Sequence, residues 1–483
     1  MDSSPGPTPQ ALRRALHEAV DWVASYLEQV GDYPVLSHAT PGEIAATLPQ
    51  SAPQYGESLE EILKDVDRLI LPGITHWNHP AFFAYFGISG SGPGIVGELI
   101  AAALNVNAML WRTSPAATEL EQRTLQWVAE MLGLPTHWFG EITDTASAST
   151  LYALAAAREA AGLDIRNQGM AGRSDLPPLA IYCSTQTHSS IDKAAIALGI
   201  GRQWTRHIET DAEFRMRPDL LEHAVKSDLA AGVKPLAVVA TVGTTSSTSV
   251  DPVPAIADIC ERYGLWLHVD AAYGGAAALV PSHRHVLSSC DRADSFVVNP
   301  HKWLLTPIDC SLLYTRRPDD LKRAFSLVAD YLRTSETDVI NLMDYGLSLG
   351  RRFRALKLWM VIRAYGRDGL ARIIAGHINE AQWLAQQIDN APGWERLAPV
   401  PFSTVCFRHV PTGDSDLEAH NAAIIDAVNV SGQAFLAATT LNGQYAIRVA
   451  IGNFATTHEH VARLWHLLQQ AAKAEKLPSS RYG

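Results

Sequence analysis

Apolar residues near the amino terminus recur with helical spacing: Leu12, Leu16, Val20, Val23 and Leu27 follow Thr8-Pro9, a capping residue and a proline suited to the first helical position. A Pro-containing connection, Pro41 to Pro53, leads to a second run, Leu59 to Leu71, with Ile62, Val66 and Ile70 on one face. Such helices cannot bury their own stripes, so the pattern predicts an arm docked on another domain or on a second subunit. From about residue 140 to 316 the texture changes. Short apolar or β-branched runs (Leu179 to Cys183, Leu236 to Val242, Leu265 to Val269, Phe296 to Val298, Leu312 to Tyr314) alternate with helical stretches. This predicts an α/β domain with a largely parallel sheet, and such sheets place ligands beyond the carboxyl ends of their strands. After about residue 360 the pattern is mixed, and it closes on a helix opened by a capping box, Thr456 to Glu459, with Val461, Leu464, Trp465 and Leu468 on one face. The expected divisions are an arm over 1–91, a large domain over 92–359 and a small α+β domain over 360–483.

Composition narrows the classes. With 483 residues, 47% hydrophobic and 18% charged, the chain is that of a multidomain globular protein. A net charge of −11 and the lack of a long Lys/Arg cluster argue against a nucleic-acid partner. The five cysteines are scattered without a CxxC and read as reduced core thiols. No basic and apolar leader and no run of eighteen apolar residues is visible, so the expected location is the cytoplasm, with no membrane partner.

Three strand ends gather polar residues. The run Leu265 to Val269 leads into Asp270, which could equally cap a helix. Ser295-Phe296-Val297-Val298 leads into Asn299-Pro300-His301-Lys302-Trp303. A lysine there is costly unless paired or deprotonated, and lysines of lowered pKa form Schiff bases; a lysine reaching out to solvent is the alternative. Thr143 to Ser149 precedes an Ala/Leu-rich helical run, where free N–H groups and the helix dipole suit a phosphate, or where a cap simply starts a helix. Together, a phosphate cradle, an acid and a buried lysine are the parts that pyridoxal phosphate (PLP) asks of a protein. Gly92 to Gly97 matches GxGxxG but sits beside a helical arm without the βαβ context, which leaves an NAD-dependent oxidoreductase as a distant alternative. The pairs His283/His285 and His458/His460 lack metal-ligand spacing, and no metal is expected.

Asn299-Pro300-His301-Lys302-Trp303, His268-Val269-Asp270-Ala271-Ala272-Tyr273 and Gly350-Arg351-Arg352-Phe353-Arg354 closely resemble the group II PLP-dependent amino-acid decarboxylases, aromatic-L-amino-acid decarboxylases above all. The resemblance runs from about Tyr55 through Thr75-His76-Trp77 and Phe82-Phe83-Ala84-Tyr85-Phe86 into the small domain. It implies a PLP-dependent transferase-like fold (aspartate aminotransferase-like, fold type I) and a carboxy-lyase that releases an arylalkylamine and CO2. It also implies a homodimer whose site borrows residues across the interface.

By the same resemblance Lys302 holds PLP, Asp270 partners the pyridinium nitrogen, His188 stacks on the ring and Ala272 packs its other face. Ala146, Ser147 and Asn299 are implied phosphate contacts, and Thr245 a further cofactor contact. His301, Trp77, Tyr85 and Phe86 line the substrate side, joined by Met109 and Leu110 from a partner subunit. Tyr331, in Asp330-Tyr331-Leu332, falls in the family's catalytic loop, where its hydroxyl would protonate Cα after CO2 has left. Gly350 stands where the plant members with serine favour phenolic substrates and those with glycine favour indoles. One departure stands out: Gly87-Ile88 replaces an expected substrate-contacting threonine, so that contact is missing or moved to Ser89. An aromatic aldehyde synthase and a decarboxylase of non-aromatic amino acids remain the alternatives. A catalytically silent homologue would have lost Lys302, Asp270 or Tyr331, and all three are present.

Overall fold

The computed structural model describes residues 6–327, 336, 339–413 and 416–473. Its centre is a sheet of seven strands: β1 (Phe139–Thr143), β2 (Leu179–Ser184), β3 (Thr205–Ile208), β4 (Lys234–Thr241), β5 (Trp266–Asp270), β6 (Ser295–Val298) and β7 (Ser311–Thr315). Their order is β1-β7-β6-β5-β4-β2-β3. Strand β7 runs antiparallel to β1 and β6, and the other pairings are parallel. Strands β2, β5 and β6 are buried along their whole length, which is why they read as unbroken apolar runs rather than alternating ones. The edge strands β1 and β3 escaped that reading because Gly140, Glu141, Arg206 and His207 interrupt them.

Register sets the chemistry. Asp270 pairs with Thr241 on β4 and Val297 on β6, so the polar segments after β4, β5 and β6 emerge at one end of the sheet. Because β7 is antiparallel it begins there: Ser311 lies opposite Thr143, the last residue of β1.

A second, antiparallel sheet of four strands, β8 (Trp394–Arg396), β9 (Thr404–His409), β10 (Ala437–Leu441) and β11 (Gln444–Ala450), has the order β10-β11-β9-β8. Helices Leu417–Val430 and His458–Lys473 pack with it. The helix Ala355–Asn390 links the two sheets and bends at Gly366, where φ is +64°. The segment Ala81–Ala84 belongs to the second sheet's core, and the Phe83 N–H donates to the Phe435 carbonyl at 2.9 Å. This fastens the chain ahead of the helix Gly92–Leu104 onto residues more than 300 positions later.

The first helix spans Pro9–Gln29, and Thr8 caps it as the sequence predicts, its hydroxyl accepting from Ala11 N at 3.3 Å. The run from Leu59 is helical to Asp65 and then widens into a π-turn over Val66–Ile70. At the last helix the reciprocal cap differs from the expected Thr456/Glu459 box: Thr457 N–H donates to His460 Nδ1 at 3.1 Å. Gly92 to Gly97 opens the helix Gly92–Leu104 with no strand ahead of it, which removes the dinucleotide reading. Gly97 serves helix packing, since a Cβ there would lie 2.6 Å from Lys357 Cα. Among the described residues no helix is long and apolar enough to cross a membrane.

Candidate active site

At the carboxyl ends of β4, β5 and β6 lies a cavity of about 440 Å³. Lys302, Asp270, His188, Ala272, Thr245 and Asn299 line it, with Ala146 and Ser147 at one end and Trp77, Tyr85, Phe86 and His301 along the walls. Every site residue expected from the sequence is therefore brought together, apart from Gly350, the borrowed pair Met109 and Leu110, and Tyr331, which lies outside the described residues. Ile88 lines the cavity, whereas Ser89 does not. Its hydroxyl accepts from Phe454 N at 2.8 Å, so the polar contact looked for after Phe86 is absent rather than moved.

Lys302 sits in the single helical turn Pro300–Trp303 that follows β6, with Nζ 5.1 Å from the centre of the Phe86 ring. Burial pushes its pKa down, Asp270 works against this, and the nearby Arg448 adds to it. Asp270 ends β5; its Oδ1 accepts from Ala272 N at 3.0 Å, and among the described residues it has no ion-pair partner. An unpaired carboxylate at 6% exposure is expensive unless a cation meets it there. His188 Nδ1 accepts from Ser190 N at 3.1 Å, and burial lowers its pKa, so the ring is neutral with its proton on Nε2.

The cradle at the far end is the first turn of the helix Ala146–Ala160. Thr145 caps it by accepting from Ala148 N at 3.4 Å, which leaves the N–H groups of Ala146 and Ser147 for a ligand. On the opposite wall Phe86 stacks on Tyr273 (4.0 Å between centres) and Tyr273 on Trp303 (4.6 Å), while Trp77 stacks on Tyr85 (5.7 Å). Tyr85 has φ +53°, a left-handed conformation uncommon for a bulky residue, and it turns the chain so that both rings reach the cavity.

Arg448 escaped the sequence reading. It stands on β11 at 4% exposure, donates through Nε to the Ser246 carbonyl at 3.0 Å and through Nη1 to the Tyr85 carbonyl, and lies 4.6 Å over Phe86. It has no carboxylate partner among the described residues, and its Nη2 is buried without a hydrogen-bond partner. The signal was there to be read: a charged residue inside Ala446-Ile447-Arg448-Val449-Ala450 is costly in an apolar strand unless it has a task.

Helix N-terminus, unpaired carboxylate and depressed lysine fit PLP, taking its phosphate, ring nitrogen and aldehyde in that order. Residues 41–410 match the pyridoxal-dependent decarboxylase conserved domain. The chain belongs to that family. It is 41% identical to phenylacetaldehyde synthase of Arabidopsis thaliana over 96% of both chains, and 42% identical to tyrosine decarboxylase 3 of Petroselinum crispum over 96% of this chain and 92% of that one. Among solved structures, Oryza sativa TDC with PLP and tryptamine matches with a TM-score of 0.92 and 37% identity, over 96% of this chain and 98% of that one. As a pyridoxal-dependent decarboxylase the chain is a carboxy-lyase of fold type I, and its cofactor is PLP.

Gly350 lines a separate polar cavity of about 220 Å³ with Glu141 and Arg351. Arg351, the next residue, is tied to the segment just before Met109: Arg351 N donates to Asn107 Oδ1 at 2.9 Å and Ala108 N to the Arg351 carbonyl at 2.9 Å, while Met343 N donates to the Met109 carbonyl at 3.1 Å. Gly350, Met109 and Leu110 thus belong to one assembly of loops, outside their own chain's PLP cavity.

Proposed function

We propose that this chain decarboxylates aromatic L-amino acids, with dihydroxyphenylalanine, tyrosine, tryptophan, 5-hydroxytryptophan and phenylalanine as the candidate class, releasing the arylalkylamine and CO2. The observation that carries the reading is the single cavity in which Lys302, Asp270 and the N-terminus of Ala146–Ala160 face an aromatic wall of Trp77, Tyr85 and Phe86. The names of the relatives support the same substrate class.

Lys302, poor in protons because it is buried, holds the cofactor through its amine. Ala146, Ser147 and Asn299 receive the phosphate, Thr245 adds a cofactor contact, and His188 and Ala272 take the two faces of the ring. Asp270 holds a proton on the ring nitrogen. Bound PLP supplies a sink for the electron pair left on Cα as the bond to the carboxylate breaks. The aromatic wall seats the substrate ring and excludes water, and His301 closes the substrate side. Tyr331 delivers the proton to Cα, which completes the amine.

The working form we propose is a cytoplasmic homodimer, built from an arm (1–91), a large domain (92–359) and a small domain (360–483). Exposed Leu12, Leu16 and Val20 on the first helix and Leu99, Ile100 and Leu104 on the helix Gly92–Leu104 support a second copy, as does the position of Gly350 and Met109. Five buried cysteines without a disulfide agree with a reducing compartment. The test is to incubate PLP-loaded enzyme with each of the five amino acids and weigh the products. Amine with one CO2 per turnover supports the reading. Aldehyde with ammonia, hydrogen peroxide and oxygen uptake would favour the aldehyde synthase, and turnover of acidic amino acids alone would overturn the substrate class.

A further inference from the structure

We propose that Ser311 is a positioning residue for cofactor binding: it is the middle link of a one-way chain of buried hydrogen bonds that fixes the Asn299 amide with an N–H, and not its oxygen, towards the PLP phosphate. The proposal rests on the reading of Asn299 as a phosphate contact.

The chain is defined from both ends. At one end the Cys310 backbone N–H donates to His301 Nδ1 at 2.9 Å. A nitrogen that accepts carries no proton, so the proton of His301 is on Nε2. Burial, which pushes the His301 pKa down to about 4, keeps the ring in this neutral form. The Asn299 amide stands between Nε2, 3.3 Å from Nδ2, and Ser311 Oγ, 2.7 Å from Oδ1. The two ends of an amide have the same outline, so the neighbours decide which is oxygen. With nitrogen towards His301, two N–H groups would oppose each other. Turned by half a rotation, Oδ1 accepts from Nε2–H and Nδ2 donates to Ser311.

From there the direction continues without conflict. Ser311 Oγ is 3.0 Å from Ser149 Oγ, and Ser149 Oγ is 2.7 Å from Thr143 Oγ1. Each hydroxyl accepts from the group before it and donates to the next. Thr143 Oγ1 lastly donates to the Thr145 carbonyl at 3.2 Å, which can only accept. A backbone donor at one end and a backbone acceptor at the other therefore permit a single polarity through five side chains. Asn299 and Ser311 are buried and Ser149 is fully enclosed, so water cannot stand in for a missing partner. The amide has one N–H left to offer, and Asn299 lines the cavity. Sheet topology makes this possible, because antiparallel β7 begins with Ser311 beside the end of β1. His301, whose Nδ1 and Nε2 are both engaged, has no lone pair for proton transfer and presents ring surface to the substrate.

The experiment is a double-mutant cycle on the PLP dissociation constant of the apoenzyme, read from cofactor absorbance with Ser311→Ala, Asn299→Ala and the double variant. Ser311→Ala is expected to weaken PLP roughly three- to tenfold, the worth of one buried hydrogen bond, and to add less than about twofold once Asn299 is already alanine. Equal costs in both backgrounds, or no cost in the first, would overturn the relay while leaving the Asn299 contact standing. No loss from Asn299→Ala would overturn the phosphate reading itself, and the relay with it. Nitrogen-15 NMR of histidine-labelled wild-type apoenzyme gives an independent result that does not depend on a variant folding. A His301 signal of the Nε2–H tautomer supports the chain, and the Nδ1–H tautomer refutes it.

Discussion

Arg448→Met removes the guanidinium that joins the second sheet to the aromatic wall while keeping an unbranched apolar stem. Two hydrogen bonds to carbonyl oxygens are lost, each worth about 1.5–3 kcal/mol when the donor is charged. They do not matter equally. The Ser246 carbonyl keeps a thiol contact from Cys406 at 3.3 Å, whereas Arg448 is the partner that holds Tyr85, a residue already in a strained conformation. Losing that one restraint is expected to lower kcat/KM for aromatic amino acids by about 10- to 150-fold, at about 1.4 kcal/mol per tenfold. The fold is expected to survive, because removing a buried cation that has no carboxylate partner returns its desolvation cost. A change within about 1 kcal/mol would move Tm by roughly 1 °C in a chain of this length. Loss of the neighbouring positive charge also raises the Lys302 pKa, so PLP capture by the apoenzyme shifts to higher pH. Steady-state kinetics with thermal melts would read both. Wild-type kcat/KM in a folded Arg448→Met would refute the reasoning, and so would a fall in activity explained by a collapse in Tm.

Gly350→Ser should leave stability within about 0.5 kcal/mol, since a Cβ there meets only Asn107 Nδ2 at 3.8 Å, and should move the tryptophan to tyrosine ratio of kcat/KM roughly tenfold towards tyrosine; an unchanged ratio would remove Gly350 from the substrate site. Tyr331→Phe should slow amine release and admit oxygen, giving aldehyde and hydrogen peroxide, and an oxygen electrode showing no uptake beside normal amine production would reject the proton-donor role. His268 is fully buried between Thr150 and Ser295, with its pKa pushed down from 6.5 to about 4. A depressed histidine contributes stability that is fully present above pH 6.5 and lost as pH falls towards 4, up to about 3 kcal/mol. The Tm advantage of wild type over His268→Gln should therefore shrink between pH 7.5 and pH 5, and a constant difference would contradict it.

The central strands and the residues at their ends were legible because full burial writes unbroken apolar runs, and Asp270 and Lys302 stand out where those runs stop. Strands β1 and β3 were not legible, since the edge position of β3 tolerates Arg206 and His207 and β1 carries Glu141, which is buried beside Arg351. Arg448 was visible as a charge in an apolar strand but its task was not, because its partners, Ser246 and Tyr85, lie 202 and 363 positions away and are backbone carbonyls that leave no trace in side-chain type. Ser89 was a reasonable substitute for a missing threonine until Phe454 claimed its hydroxyl. The capping contact at the last helix lies one residue on, at Thr457 and His460, where an unprotonated imidazole nitrogen accepts the backbone N–H. Gly350 illustrates a different limit, for a residue whose place lies outside its own chain's cavity gives no sign of it in pattern or spacing.

Lys302 is the residue we propose as the holder of the cofactor. PLP-loaded enzyme treated with borohydride, digested and analysed by mass should carry the reduced pyridoxyl group on the peptide containing Asn299-Pro300-His301-Lys302-Trp303, and Lys302→Ala should carry none. A pyridoxyl group on any other lysine, with Lys302 unmodified, would contradict the account.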